Sequence, residues 1–418
     1  MRRRTVLQTA TALSSSLLWA PAGFASQAQR QEKEEAHNLY FSKLNALLRD
    51  QGPGRPVMLI DRQALEHNVK AISASVGKNK TWRIVVKSLP SVPLLRAVMQ
   101  QASTDALMVF HQPFLNEIAQ SFPKADVLLG KPMPVSAART FFRSYKKHRR
   151  GFHAEQQVQW LIDSKTRLLQ YQALARELGV HMRLSFEIDV GLHRGGLTTP
   201  AELTELLQII EGDPQHLSVA GLMGYEPHLT GLKADLNHPA VKSVLEIYTS
   251  FVEVLASAGF NPQELTLNGA GSHTLKIYEQ DRLMNDLSAG SGVVMPTDFD
   301  THHLLAHRPA LFIATPILKR YQNNPFIEEP PESLERLYYI YGGYWKAQMV
   351  SPANTGEPIY QSTNQSPVTT SASIDLKVDD YMFLRPTQSE FVMLQFGDLL
   401  TLSEGRLGER WPVFHQTG

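Results

Sequence analysis

The chain has 418 residues, is 43% hydrophobic and 19% charged, and carries a formal net charge of +1. That make-up belongs to an ordinary globular protein, large enough for an α/β domain and a smaller companion, without the clustered basic footprint of a nucleic-acid binder. It contains no cysteine, which excludes disulfides, thiolate nucleophiles and cysteine-ligated zinc.

The opening MRRRTVLQTATALSSSLLWAPAGFA has a charged start, a modestly apolar middle and small residues near Ala25. This is the layout of a secretory signal. Its RRTVLQ stretch looks like a twin-arginine signal, a route that exports folded proteins. The apolar part is broken by Thr, Ser and Pro and falls short of the roughly 20 residues that a membrane span needs. The expectation is a signal peptide over 1–25, cleaved after Ala25 or Ala28, giving a periplasmic protein without stable membrane insertion. Residues 26–54 read as a polar, charged helical segment.

From 55 to 305, strand and helix signals alternate. VMLID precedes RQALEHNVKAISASV, whose Leu65, Val69 and Ile72 share one face. RIVVK, ALMVF, DVLLG, QWLID, RLSFEID and LSVAGLMGY are each followed by a helix-like stretch, and ELTLNG and LSAGSGVVM complete the series. Strands alternating with helices imply βαβ units and a parallel sheet. A closed (β/α)8 TIM-type barrel is the expected architecture, with an open doubly wound sheet as the alternative. The basic run RSYKKHRR at 143–150 reads as a solvated helix face. From 306 to 418 the pattern turns to strand-like alternation, so a smaller β-rich C-terminal domain is expected. Two long polar loops, 322–335 and 351–373, interrupt it.

In a barrel, chemistry sits at the carboxyl ends of the strands. Lys87 ends the short, β-branched run Trp82-Arg83-Ile84-Val85-Val86, and prolines 90 and 93 follow. FEIDVGLHRGG (186–196) offers Asp189, His193 and Arg194 among glycines, and GLMGYEPH offers Tyr225 and His228. LNGAGSHT presents Gly269, Ala270, Gly271, Ser272 and His273, a small-residue stretch whose amides suit an anion. A second glycine turn holds Gly290, Ser291 and Gly292. Each has a plain account: a lysine where a strand surfaces, an arginine paired with Asp189, a tyrosine in the core, glycines that merely turn. Together, a lysine, an arginine, a tyrosine and an anion nest on successive strand ends suit pyridoxal phosphate, bonded through Lys87 and acting as electron sink.

VVKSLP, EIDVGLHRGG, GLMGYEPH, LNGAGSHT and AGSGVVM, in that order, resemble the fold-type III pyridoxal-phosphate enzymes, and within them the D-threonine aldolase and D-serine dehydratase branch with its alanine-racemase-like barrel. The resemblance runs from about residue 55 to the carboxyl terminus. It implies that Lys87 carries the coenzyme, Arg194 contacts it, Tyr225 lines the site and the 269–273 loop binds phosphate. It also implies a head-to-tail homodimer in which the partner's C-terminal domain completes the active site. That branch carries a metal pair near its carboxyl terminus. The matching stretch here, RPTQSEF, has Gln388 and Glu390 in the ligand positions. Glutamine is a poor zinc ligand, so no essential zinc is expected, and a single carboxylate at Glu390 is thin support for a harder cation. His303 and His307, four residues apart, read as exposed histidines on a helix at the barrel edge.

The expected activity is that of a lyase on a small D-amino acid, a D-3-hydroxy acid such as D-serine or D-threonine, by dehydration or retro-aldol cleavage. Lys87 serves as base, and His193, His228, Gln388 and Glu390 are candidates for handling the hydroxyl. The alternatives are an amino-acid racemase, a pyridoxal-phosphate-binding protein with little turnover, and a barrel without cofactor.

Overall fold

The computed structural model describes residues 36–147 and 151–415. The signal peptide and cleavage site expected in 1–28 lie outside the described residues.

Eight parallel strands close a barrel in chain order, β2 (Thr81–Val85), β3 (Ala106–Val109), β4 (Asp126–Leu129), β5 (Val158–Ile162), β6 (Met182–Glu187), β7 (Leu217–Met223), β8 (Thr266–Gly269) and β9 (Asp286–Ala289). Residues 81–84 of β2 pair with 286–289 of β9 to complete the ring. The strands are nearly continuous apolar runs because both faces are covered. Outside them lie α3 (Val92–Ala102), α4 (Gln112–Ser121), α5 (Val135–Lys147), the single turn α6 (Ala154–Gln157), α7 (Lys165–Leu178), α8 (Pro200–Glu211) and α9 (Pro239–Ser257). These follow α1 (Leu39–Gln51) and α2 (Arg62–Val76) in the chain. The α9 helix buries Val241, Val244, Tyr248, Phe251 and Leu255, three or four residues apart along one stripe. Only 3-10 turns join β8 to β9, and α2 packs into that gap beside α3.

The strand expected to open the barrel belongs elsewhere. Strand β1 (Val57–Asp61) pairs antiparallel with β10 (Leu311–Tyr321) and parallel with β15 (Asp398–Ser403), in an eight-stranded sheet separate from the barrel. That sheet also contains β11 (Arg336–Tyr341), β12 (Ala347–Ser351), β13 (Gln365–Thr370), β14 (Tyr381–Pro386) and β16 (Arg406–Pro412). An apolar run of five residues fits either sheet, and the helix after it is no guide here: α2 docks on the barrel while β1 does not. Asp61 makes the transition, its Oδ1 accepting from the amides of Gln63 and Ala64 at 3.0 Å, an N-cap for α2. The second expected loop, 351–373, contains β13, a strand of Gln, Ser, Pro, Val and Thr held by β11. A short helix, α10 (Glu390–Leu394), links β14 to β15. Phe41, Leu44 and Leu48 of α1 seal the far face of the sheet against Phe312 and Phe383.

Among the described residues no helix is long and apolar enough to cross a membrane.

Candidate active site

Lys87 sits in one 3-10 turn, Val86–Ser88, directly after β2. Val86 and Ser88 are buried on either side, and the lysine side chain lines a cavity at the carboxyl ends of the barrel strands. Its Nζ lies 2.8 Å from Glu390 Oε1 and 4.8 Å from the centroid of the Phe110 ring. Gly130 makes room for that ring, since a Cβ there would come within 2.4 Å of it. Three buried serines tie these parts together. Ser291 Oγ donates to Ser88 Oγ at 2.9 Å and lies 3.3 Å from Ser389 Oγ, so the neighbours of Lys87, the second glycine turn and Glu390 meet at one point.

Across the cavity, the amides of Gly290 and Gly292 both donate to Ser272 Oγ, at 3.1 and 3.0 Å. Two main-chain amides converge on one oxygen, a geometry that also suits an anion, with the Ser272 hydroxyl occupying it here. Ala270, at the start of this loop, has φ +66°, the left-handed region that only glycine enters freely. The Tyr225 ring covers the loop so closely that a Cβ on Gly271 would lie 2.9 Å from it. The Arg194 guanidinium stands 5.1 Å from the centre of the same ring and 3.7 Å from Glu187 Oε1. Burial, with Glu226 next door, pushes the Tyr225 phenol above its ordinary value. Glu226 itself is fully buried, and burial pushes its carboxyl up to about 7 against the pull of a hydrogen bond from Thr274.

A buried polar network lies inside the barrel. Arg83 is 1% exposed and binds Asp286 through Nε and Nη2 and Asp126 through Nη2, at 2.7–3.1 Å. Asn268 donates to Asp286 Oδ1 at 2.5 Å and to Ser288 Oγ at 2.9 Å, and Asn268 and Ser288 both reach the cavity wall.

Lys87, Arg194, Tyr225, Ala270, Gly271, Ser272, His273, Gly290, Ser291 and Glu390 line the cavity together. Gly269 and Gly292 lie behind the lining. Two of the expected histidines are not brought in. His193, at φ +57°, turns outward with its side chain 83% exposed and bonds Asp189 at 2.9 Å. His228, also exposed, faces the same rim loop at Gly191. Asp189 therefore partners His193 instead of Arg194. His303 and His307 are not on an α-helix: a 3-10 turn covers 302–304, His303 Nε2 meets the Leu232 carbonyl at 3.1 Å, and burial lowers the pKa of His307 to about 4. Sequence reading missed Phe110, Gly130, Ser88, Asn268, Ser288 and Glu226. Phe110 and Ser88 stand at the same strand ends that were searched, and Glu226 adjoins Tyr225, so position was the signal available for all three.

The lining fits pyridoxal 5'-phosphate. A lone cavity-facing amine, paired amides for an anion, an aromatic ring beside them and close-set glycines that leave no space for side chains match its aldehyde, phosphate and ring. Gln388 and Glu390 stand where the D-threonine aldolase and D-serine dehydratase branch carries its metal pair; Gln388, a poor zinc ligand, donates through Nε2 to Asp298 at 2.7 Å, and Glu390 pairs with Lys87.

A closed barrel with these strand-end groups defines the pyridoxal-phosphate enzymes of barrel type. The chain belongs to the alanine racemase N-terminal domain family, whose profile matches residues 60–297. No curated protein sequence matches it. Among solved structures it is similar to D-threonine aldolase from Filomicrobium marinum, with a TM-score of 0.71 at 14% identity over 86% of this chain and 96% of that one. It is similar to D-threo-3-hydroxyaspartate dehydratase from Delftia sp. HT23, with a TM-score of 0.66 at 15% identity over 86% and 97%. Alanine racemase from Clostridium difficile 630 gives 0.63 at 16% identity over 85% and 98%. At these identities the likeness is one of fold.

Proposed function

We propose that the protein is a pyridoxal-phosphate-dependent lyase acting on a small D-amino acid that bears a 3-hydroxyl, such as D-serine or D-threonine. The observation that carries this reading is the Lys87–Glu390 pair, a base and a carboxyl group side by side in a cavity shaped for the coenzyme. Pyridoxal 5'-phosphate, when bound through Lys87, supplies the electron sink that lets a bond at the substrate's α-carbon break. The chain's own groups handle the protons. Lys87 Nζ, released when the substrate amine takes its place, accepts the α-proton. In dehydration that proton passes to Glu390 Oε1, one hydrogen bond away, and on to the departing hydroxyl, which leaves as water; water then hydrolyses the released enamine to a 2-oxo acid and ammonia. In retro-aldol cleavage no α-proton is taken: the carboxylate accepts the hydroxyl proton as the Cα–Cβ bond breaks and the aldehyde leaves, and that proton returns through Lys87 Nζ to the α-carbon, giving glycine.

Racemisation, the second reading, requires a base opposite Lys87. The Lys87–Glu390 pair lies on one side of the cavity and supplies no such opposite base, so lysis ranks first. The same proposal takes the leader at 1–25 as a twin-arginine signal and places the enzyme in the periplasm as a homodimer. Support for the dimer comes from the cavity mouth, where Phe391, beside Glu390, is 68% exposed.

The test is the visible absorption of the purified protein and of Lys87→Ala, followed by a panel of D- and L-amino acids with and without chelator. A lysine-dependent band with release of 2-oxo acid or aldehyde, unaffected by chelator, supports the reading. Interconversion of enantiomers without loss of material favours the racemase. A protein that stays colourless with added pyridoxal phosphate overturns both.

A further inference from the structure

We propose that Glu226 is a positioning residue for the anion-binding loop: through Thr274 it fixes the 270–274 turn that holds Ser272 against the Gly290 and Gly292 amides at the cavity wall, where a phosphate group would sit. The inference rests on the reading of the cavity as a pyridoxal-phosphate site and adds a residue behind its wall.

Glu226 Oε1 accepts a 2.6 Å hydrogen bond from Thr274 Oγ1. That hydroxyl accepts the Gly271 amide at 3.0 Å, and the Gly271 carbonyl accepts the amides of Thr274 and Leu275 at 3.0 and 2.9 Å. The loop is thus closed on itself through a threonine whose hydroxyl direction Glu226 dictates. Tyr225, the preceding residue, presses on Gly271 from the cavity side, so two consecutive side chains grip the loop from both faces. The grip accounts for Ala270 at φ +66°, a conformation that persists only where the surroundings impose it.

An apolar contact or an amide could have filled this position more cheaply than an acid. Glu226 is fully buried, and its Oε2 has no hydrogen-bond partner among the described residues, an arrangement that disfavours the charged form. The titratable groups that face it are phenols, Tyr225 on its own segment, Tyr248 on α9 and Tyr278 on the 3-10 turn after the loop, with Asp281 acting on the last two and Asp286 on Tyr248. The main-chain amides of Ala270 and of Glu226 itself pull against its burial. His273 is the titratable group of the loop itself. A neutral acid leaves the nest free to attract phosphate, and an ionised one repels it. Bound phosphate therefore holds the proton on Glu226, and phosphate affinity falls as pH rises through the carboxyl's pKa.

The experiment compares dissociation constants of pyridoxal 5'-phosphate and of pyridoxal, which shares the aldehyde and lacks the phosphate, for the full chain across neutral pH. Thr274→Val breaks the relay and is expected to weaken the phosphate ester about tenfold, one hydrogen bond's equivalent, while leaving pyridoxal unchanged. Thr274→Ser restores it. Glu226→Gln keeps an acceptor for Thr274, so its affinity matches wild type in mild acid, but it lacks the extra decline above neutrality. His273 and the phosphate titrate in both proteins and cancel in that comparison. Equal weakening of both compounds by Thr274→Val, or identical pH profiles for wild type and Glu226→Gln, overturns the proposal. A wild-type chain that binds pyridoxal as tightly as its phosphate ester overturns the cofactor reading instead, and this inference falls with it.

Discussion

Lys87 Nζ and Glu390 Oε1 lie 2.8 Å apart, joining the turn after a barrel strand to the first residue of a helix in the β-rich sheet. At this distance the amine and the carboxylate form a hydrogen-bonded ion pair. Glu390→Gln keeps the size of the side chain and removes its acid–base capacity. It is expected to lower kcat by on the order of 100-fold, while the lysine-dependent absorption remains. Steady-state kinetics and a visible spectrum on the same sample check both halves.

The serine junction predicts a second effect. Ser291→Ala removes the hydroxyl that reaches toward both Ser88 and Ser389, loosening Lys87 and Glu390 relative to each other. About a tenfold loss in kcat/KM is expected, since misplacement of reacting groups is costly, together with about 1–3 kcal/mol of stability for the buried hydroxyls left unpaired. A variant that loses stability and keeps full activity would show that the junction only holds the fold.

His193 and His228 lie on the rim, outside the cavity. His193→Ala and His228→Ala are each expected to leave kcat/KM within about twofold and stability within about 0.5 kcal/mol, as surface substitutions do. A loss of 100-fold in either would bring that histidine back as a catalytic group, acting in a closed form of the loop.

The contrast between these histidines and Lys87 shows what was legible in the sequence. Strand ends in a barrel point one way, so Lys87, Arg194, Tyr225 and the two glycine turns could be brought together from the order of strands alone. A loop residue has no such constraint: His193 and Arg194 are neighbours, yet the positive φ of His193 sends it outward while Arg194 reaches the cavity. Strand β13 was hidden by composition, because its Ser, Thr and Gln residues are buried by pairing with β11 rather than by apolar character. Glu226 was hidden because its role comes from the fold of the 270–274 loop beneath it.

Arg83 predicts stability rather than activity. It pairs with Asp286, whose side chain is 5% exposed, and with Asp126, at 42%, so Arg83→Leu leaves the buried Asp286 without its cation. A loss of about 3–5 kcal/mol is expected, as for other broken buried pairs, measured by denaturant unfolding. An unchanged midpoint would mean that solvent reaches Asp286 freely.

Glu226 also predicts a pH dependence of stability. Its carboxyl titrates at about 7 in the folded protein, against an ordinary value of 4.5. Between these values the folded state binds more protons than the unfolded one, so this group's contribution is complete in acid and is lost as pH rises through about 7. Glu226→Gln should therefore gain on wild type as pH rises from 5 to 8 in thermal unfolding. A constant difference in Tm across that range would show that the group does not titrate there.

The place of β1 has a consequence for how the molecule comes into being. This strand is central in its sheet, between β10 and β15, and Val57, Met58, Leu59 and Ile60 are each no more than 1% exposed there. A ribosome delivers β15 long after β1, so the strand waits with its edges open while the whole barrel is made. The barrel strands, contiguous in the chain, meet their neighbours as they emerge, whereas the sheet must close a loop that runs through the entire barrel. Glu390 arrives in the same late stretch as β15. The carboxyl that faces Lys87 and the strand that shields β1 are thus installed together, and a chain stopped short of them is left without its chemistry and with an uncovered apolar edge.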